Sequence, residues 1–180
     1  MKDMGKARYV LGMEIVRDCP KKLRGLCRKA YIEKVLEHFW MHYSKPIDTP
    51  VKKGLTLSIE QCPTIDDEKQ KMSNVPYASA VGNLMYAMLY TRPDICFVVS
   101  LVSHYQSNPG TAHWQAIKRI IRYLRGTTDL VLCYQEGDLK LRGYSDADWH
   151  GDFDESKPTS GYVSPLVGEP YPGAVRRKIT

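Results

Sequence analysis

The chain has no Cys-x-x-Cys pair, no Asn-x-Ser/Thr sequon and no apolar run long enough to span a bilayer. It also has no signal-peptide pattern at its start, no glycine-rich phosphate loop, no nucleophile-elbow motif and no internal repeat. Each absence removes a class. The five cysteines, Cys19, Cys27, Cys62, Cys96 and Cys133, are odd in number, so neither a zinc site nor a disulfide framework is implied. Free thiols in an intracellular setting, cytoplasmic or nuclear, with no membrane partner, are the expectation. Acids are missing from one further place: residues 111–125 contain none, although they carry Lys118, Arg119, Arg122 and Arg125.

What is present is an ordinary globular composition, 43% hydrophobic and 26% charged over 180 residues, enough for one domain or two small ones. The net charge of +6 is uneven. Residues 1–53 hold thirteen Lys and Arg against six acids, whereas residues 144–155 hold five acids and no Lys or Arg. A basic excess favours a polyanionic partner such as nucleic acid.

The pattern predicts an α+β chain in four zones. Residues 1–43 read as a hairpin and a helix. Tyr9, Leu11, Met13 and Ile15 alternate over a strand at 7–17, Lys21 to Gly25 form a basic turn, and Leu26 and Cys27 start a return strand. Ala30 to Met41 is an amphipathic helix with Tyr31, Val35, Leu36 and Phe39 on one side. Residues 44–76, with Pro46, Pro50, Pro63 and Pro76, read as an irregular linker whose stretch Asp66-Asp67-Glu68-Lys69 is polar and mobile.

Residues 77–128 read as three helices. Tyr77, Ala80, Val81, Leu84, Met85, Met88 and Leu89 repeat at helical spacing. Pro93 and Asp94 start a second helix running through Ile95, Val98, Val99 and Val102 to about Tyr105. Trp114, Ile117, Ile120, Ile121 and Leu124 face inward from a third, which Gly126 terminates. In residues 129–180, the runs at 130–134 and 139–144 suggest an antiparallel hairpin around Glu136-Gly137-Asp138, with a further strand at 159–167.

Three constellations bear on chemistry. Lys118, Arg122 and Arg125 fall at i, i+4 and i+7, with Arg119 beside them, so the row could track a phosphate backbone. The ordinary reading of such a row is a solvated helix face, and the lack of compensating acids keeps both readings open. His38 and His42 stand four apart on a predicted helix, but no third ligand accompanies them, and His113 reads as structural. Asp146, Asp148, Asp152 and Asp154 follow a strand pattern. Asp146 and Asp148 are candidate metal ligands, although two carboxylates fall short of the three or four that two-metal phosphodiester hydrolysis uses. A turn or a helix cap explains an isolated Asp-x-Asp equally well.

The motifs also form an ordered series. Leu11-Gly12-Met13-Glu14-Ile15 is followed by Tyr31-Ile32-Glu33-Lys34-Val35-Leu36 and Asp48-Thr49-Pro50. Tyr77 with Val81-Gly82-Asn83-Leu84-Met85-Tyr86, Thr91-Arg92-Pro93-Asp94-Ile95, and Asn108-Pro109 with His113 come next. Arg119-Ile120-Ile121-Arg122-Tyr123-Leu124-Arg125-Gly126-Thr127, Gly143-Tyr144-Ser145-Asp146-Ala147-Asp148-Trp149 and Thr159-Ser160-Gly161-Tyr162-Val163 complete it. Over roughly residues 3–163 this resembles the Pol polyprotein of copia-type LTR retrotransposons, from the end of the reverse transcriptase palm, through thumb and connection, into ribonuclease H.

The resemblance implies an RNA-directed DNA polymerase and ribonuclease H. Residues 1–43 would be the end of the palm and the start of the thumb, 77–128 the helical connection, and 129–180 an incomplete ribonuclease H-like segment. Asp146 matches that family's first nuclease carboxylate. Magnesium is the cofactor implied for the intact enzyme, and none is expected for this segment alone. The implied partners are a template–primer or RNA/DNA hybrid and the rest of the polyprotein. The polymerase's Tyr-x-Asp-Asp motif does not occur in the sequence and would lie upstream, and the later nuclease carboxylates would lie downstream. Pro158 stands where the family commonly has serine, and Pro165, Pro170 and Pro172 replace a strand the family usually has, as in a degenerate copy. The expected role is template–primer contact without activity in the isolated chain. The alternatives are a non-enzymatic nucleic-acid-binding remnant and a purely structural one.

Overall fold

A computed structural model of the chain describes residues 5–20, 22–135, 144–148, 159–163 and 174–177; from residue 135 onward it describes the backbone only. Helices and antiparallel strands are both present, so the fold is mixed, and the chain divides into two units. One comprises residues 1–27 and 130–180, and the other residues 28–129.

The first unit is built on strands β1 (Tyr9–Val10), β2 (Met13–Asp18), β3 (Leu23–Cys27), β4 (Leu130–Gln135) and β7 (Ala174–Arg177), hydrogen-bonded in the order β1-β2-β3-β4-β7. The alternation at 7–17 is therefore two strands. Tyr9 pairs with Glu14 and Val10 with Met13, which leaves Leu11 and Gly12 as a two-residue turn. Both have positive φ, 50° and 74°, the combination that a type I′ connection requires. Leu11, placed in the strand by pattern, is at the turn and exposed. The basic turn predicted over Lys21–Gly25 is shorter too. Leu23, Arg24 and Gly25 already pair with Asp18, Arg17 and Val16, because Leu23, Gly25 and Cys27 alternate inward along β3. Leu23, Cys27, Val131 and Cys133 form the small core here.

Strand β4 pairs with β3 on one side and, over Leu130–Cys133, with β7 on the other. The hairpin expected around Glu136-Gly137-Asp138 rests on residues 136–143, which lie outside the described residues. A separate two-stranded sheet joins β5 (Tyr144–Asp148) to β6 (Thr159–Val163).

The second unit is helical: α1 (Lys29–His38), α2 (Asp66–Ser73), α3 (Tyr77–Tyr90), α4 (Cys96–Ser103) and α5 (Thr111–Gly126). Helix α1 ends three residues before the expected Met41. The Met41 N–H donates to the Leu36 carbonyl (2.8 Å) and the Trp40 N–H to the Glu37 carbonyl (3.0 Å), a Schellman closure. The linker at 44–76 is better ordered than its composition suggests. Three acids in the first turn of α2 suit the positive end of its dipole, and Met72 is buried. Leu57 is buried as well, while Val51, Leu55 and Cys62 pack against the same core.

That core is centred on Val81, Leu84, Ile95, Val99, Val102, Ile117, Ile120 and Ile121, all fully buried. Each such aliphatic side chain contributes about 1.5–3 kcal/mol relative to exposure. The second predicted helix begins as a 3-10 turn over Pro93–Ile95 and becomes α4, which stops at Ser103, although Tyr105 beyond it is buried. Gly126 is the last residue of α5 rather than a left-handed cap. A Cβ there would lie 3.0 Å from Pro46 Cβ, so close approach explains the glycine. All five cysteines are free, and no helix among the described residues is long and apolar enough to cross a membrane.

Candidate nucleic-acid interface

Helix α5 owes its length to a strong amphipathic pattern. His113, Ala116, Ile117, Ile120, Ile121 and Leu124 are buried, which leaves the basic row on the other side. His113 helps start the helix: its Nδ1 accepts the Gly110 N–H (2.8 Å) and its ring stacks on Tyr105 with centroids 4.0 Å apart. That is the structural role expected of it. His38 and His42, in contrast, do not share a helix, since α1 ends at His38. Their rings lie edge-on to Phe39 and Tyr43 respectively.

The basic row is placed by the segment that follows α1. Arg119 Nη2 donates to Thr49 Oγ1 (2.9 Å), Arg122 Nε to the Lys45 carbonyl (2.7 Å), and Arg125 Nε to the His42 carbonyl. The three arginines fasten residues 42–49 along α5 at successive points. Every acceptor is neutral, and no carboxylate among the described residues pairs with Lys118, Arg119, Arg122 or Arg125. Their positive charge is thus not cancelled locally, and each side chain is only partly buried. Exposed Lys45 adds to the same field. A guanidinium that gives one or two N–H groups to a carbonyl still has others for a phosphate oxygen.

Sequence reasoning missed a buried polar cluster that holds α5 to the α3–α4 junction. Arg92 is 1% exposed. Its Nε and Nη2 donate to the two Asp94 oxygens (2.9 and 2.7 Å), and its Nη1 and Nη2 donate to the Thr127 carbonyl and Oγ1 (3.0 and 2.7 Å). The Tyr123 hydroxyl donates to Asp94 Oδ2 (2.7 Å), and the Tyr123 ring faces the guanidinium at 5.3 Å. Burial pushes the Asp94 carboxyl up. The Arg92 hydrogen bonds and charge and the Tyr123 hydroxyl outweigh this and hold it below the usual carboxylate range. Burial, followed by that same hydrogen bond, raises the Tyr123 phenol. Two of the sequence motifs, Thr91-Arg92-Pro93-Asp94-Ile95 and the one ending at Gly126-Thr127, are here one hydrogen-bonded unit. A second buried arginine, Arg28, lies over the rings of Tyr86 and Tyr90 at 4.2 and 4.5 Å, with Tyr31 at 5.7 Å.

The candidate metal ligands lie in the other unit. Asp146 and Asp148 are both on β5, opposite Gly161 and Thr159. Asp152 and Asp154 lie outside the described residues. Among the described residues no three His, Cys, Asp or Glu side chains gather as a metal site.

Known proteins supply the class. The chain is 50% identical over 168 residues to the Retrovirus-related Pol polyprotein from transposon TNT 1-94 of Nicotiana tabacum, a stretch covering 93% of this chain and 13% of that protein. It is 34% identical over 171 residues to the corresponding polyprotein from transposon RE2 of Arabidopsis thaliana, covering 94% of this chain and 11% of that one. The Secreted RxLR effector protein 161 of Plasmopara viticola is 50% identical over 98 residues, 54% of this chain and 69% of that protein. The chain is thus similar to retrovirus-related Pol polyproteins of transposons, and it spans a small fraction of their length. No family model matches it, and no solved structure does.

Proposed function

We propose that this chain is the thumb and connection segment of a copia-type Pol polyprotein, leading into the first strands of its ribonuclease H, and that it contacts the template–primer through α5. The observation that carries the reading is the uncancelled row Lys118, Arg119, Arg122 and Arg125 along α5, in which Arg119 is held by a hydroxyl and Arg122 and Arg125 by carbonyl acceptors. The partner is an RNA/DNA hybrid or template–primer, with the remainder of the polyprotein supplying the other domains. The cellular location that goes with this reading is the cytoplasm or nucleus.

Asp146 is the proposed first nuclease carboxylate, with Asp148 as a further metal ligand. Magnesium would supply activation of water and stabilisation of the leaving oxygen in the intact enzyme. The described donors do not complete such a site, because two carboxylates on one strand fall short of the converging set. The chain carries no Tyr-x-Asp-Asp sequence, so template extension by this segment alone is not expected.

The test is fluorescence anisotropy with a labelled RNA/DNA hybrid across a salt series. Affinity should fall steeply as salt rises, and Lys118→Ala should reduce the slope of log affinity against log salt by about one. A variant with all four bases changed to Ala should bind at least tenfold more weakly at low salt. If that variant keeps its helical circular dichroism and binds the hybrid unchanged, the row is structural and the proposal fails.

A further inference from the structure

Helix α1 ends in a way that glycine normally serves. In a Schellman closure the residue donating the inner bond adopts a left-handed conformation, and here that residue is Trp40, with φ of 55°. A bulky residue is strained there. Burial does not compensate, because Trp40 is 93% exposed. Three positions on, Tyr43 is 94% exposed. No other aromatic residue among the described ones presents so much of its surface.

In sequence Trp40 and Tyr43 bracket His42, whose carbonyl Arg125 grips, and His42 stands three residues before Lys45, whose carbonyl Arg122 grips. The surroundings are cationic: residues 39–53 contain Lys45, Lys52 and Lys53 against the single acid Asp48, and α5 contains no acid. Exposed aromatic faces beside a row of uncancelled guanidinium groups are the elements by which proteins hold unpaired nucleotides, with bases on the rings and phosphates on the cations. A protein partner of similar reach would meet charge that an acidic surface alone could satisfy, and it would not need the flat faces. Strain retained at a solvent-facing residue adds a second, independent indication of use at the surface.

We propose that Trp40 and Tyr43 form a stacking platform for unpaired bases of a single-stranded nucleic acid whose phosphates engage Arg122, Arg125 and Lys45. The inference rests on the nucleic-acid reading of α5 and extends it from a duplex-tracking row to a site for a single-stranded end.

The experiment uses the whole chain with fluorescein-labelled oligo-dT, oligo-rU of the same length, and a blunt RNA/DNA hybrid. Trp40→Gly and Tyr43→Ala should each weaken binding of the single strands between about fivefold and a hundredfold and leave the blunt hybrid within about twofold. Trp40→Phe should retain most of the single-strand affinity. Comparing oligo-dT with oligo-rU separates a DNA from an RNA end. Because Trp40→Gly relieves the left-handed strain, it should raise the thermal midpoint while lowering affinity, so loss of folding cannot mimic the result. Unchanged single-strand binding in Trp40→Gly and Tyr43→Ala overturns the platform, even if the four-alanine change in α5 abolishes hybrid binding. If these variants lose self-association or protein capture instead, with nucleic-acid binding intact, the platform is equally overturned. Failure of the four-alanine variant to weaken any nucleic acid overturns the reading of α5 as well.

Discussion

Changing Asp94 to Ala removes the carboxylate that faces a nearly inaccessible guanidinium. Arg92 would retain its two bonds to Thr127 and the Tyr123 ring but would lose both charge-assisted bonds to Asp94. Breaking one side of a fully buried pair costs about 3–5 kcal/mol, much of it the penalty of the charge left behind. The Asp94 side chain is 21% exposed, so water can reach part of the site and the loss should fall at the low end, about 3 kcal/mol. For a chain of this length that corresponds to a drop of roughly 6–12 °C in thermal midpoint. Urea denaturation followed by circular dichroism measures it. The double change Arg92→Met with Asp94→Ala should recover part of the loss, since no uncompensated charge remains. The pH dependence has a definite sign. The carboxyl is held low in the folded state, so its contribution is fully present above the ordinary carboxylate range and disappears as pH falls through the folded value. The stability gap between the native chain and Asp94→Asn should therefore be flat near neutrality and close in acid. A loss below about 1 kcal/mol in Asp94→Ala, or a gap that widens in acid, would refute the reasoning.

Two further expectations test the local geometry. At Gly110 a Cβ would lie 1.9 Å from the Gln61 carbonyl oxygen, a backbone atom that cannot step aside. Gly110→Ala should cost about 1–3 kcal/mol or more by shifting the start of α5, seen as a lowered urea midpoint. Leu11 is exposed and left-handed in a turn that prefers Asn before Gly, so Leu11→Asn should stabilise the first unit by about 1 kcal/mol. An unchanged exchange rate for the amide protons of β2 would count against that turn.

The long helices were legible because their apolar residues recur at one period over many turns. Tyr77 to Tyr90 and Thr111 to Gly126 appear almost where the spacing puts them. The alternation through Tyr9, Leu11, Met13 and Ile15 misled, because a period of two continues unbroken across a two-residue turn whose first residue is an unexpected leucine. Helix α2 escaped notice because one buried residue, Met72, is too few to set a period. At the candidate site, the basic row could be read from its spacing and its missing acids. Its capture of the carbonyls of His42 and Lys45 could not, since these are contacts between side chain and backbone across 77 to 83 residues of sequence. The cluster around Arg92 was hidden for the same reason: Thr127 lies 35 residues away, and only its neighbour Asp94 was visible.

The order of strands carries a consequence for how the chain folds. β3 and β4 are adjacent and antiparallel, with Leu26 opposite Leu132, yet the whole helical unit separates them in sequence. Pairing them while that connector of about a hundred residues is disordered costs on the order of 4–5 kcal/mol of chain entropy, which a few ladder bonds between short strands do not offset. Once the helical unit has folded, its two ends are no longer free to wander, and most of that entropy has already been lost. The β3–β4 pairing is therefore expected to form after the helices between these strands have closed on one another, whereas β1, β2 and β3 pair through short turns and need no such wait.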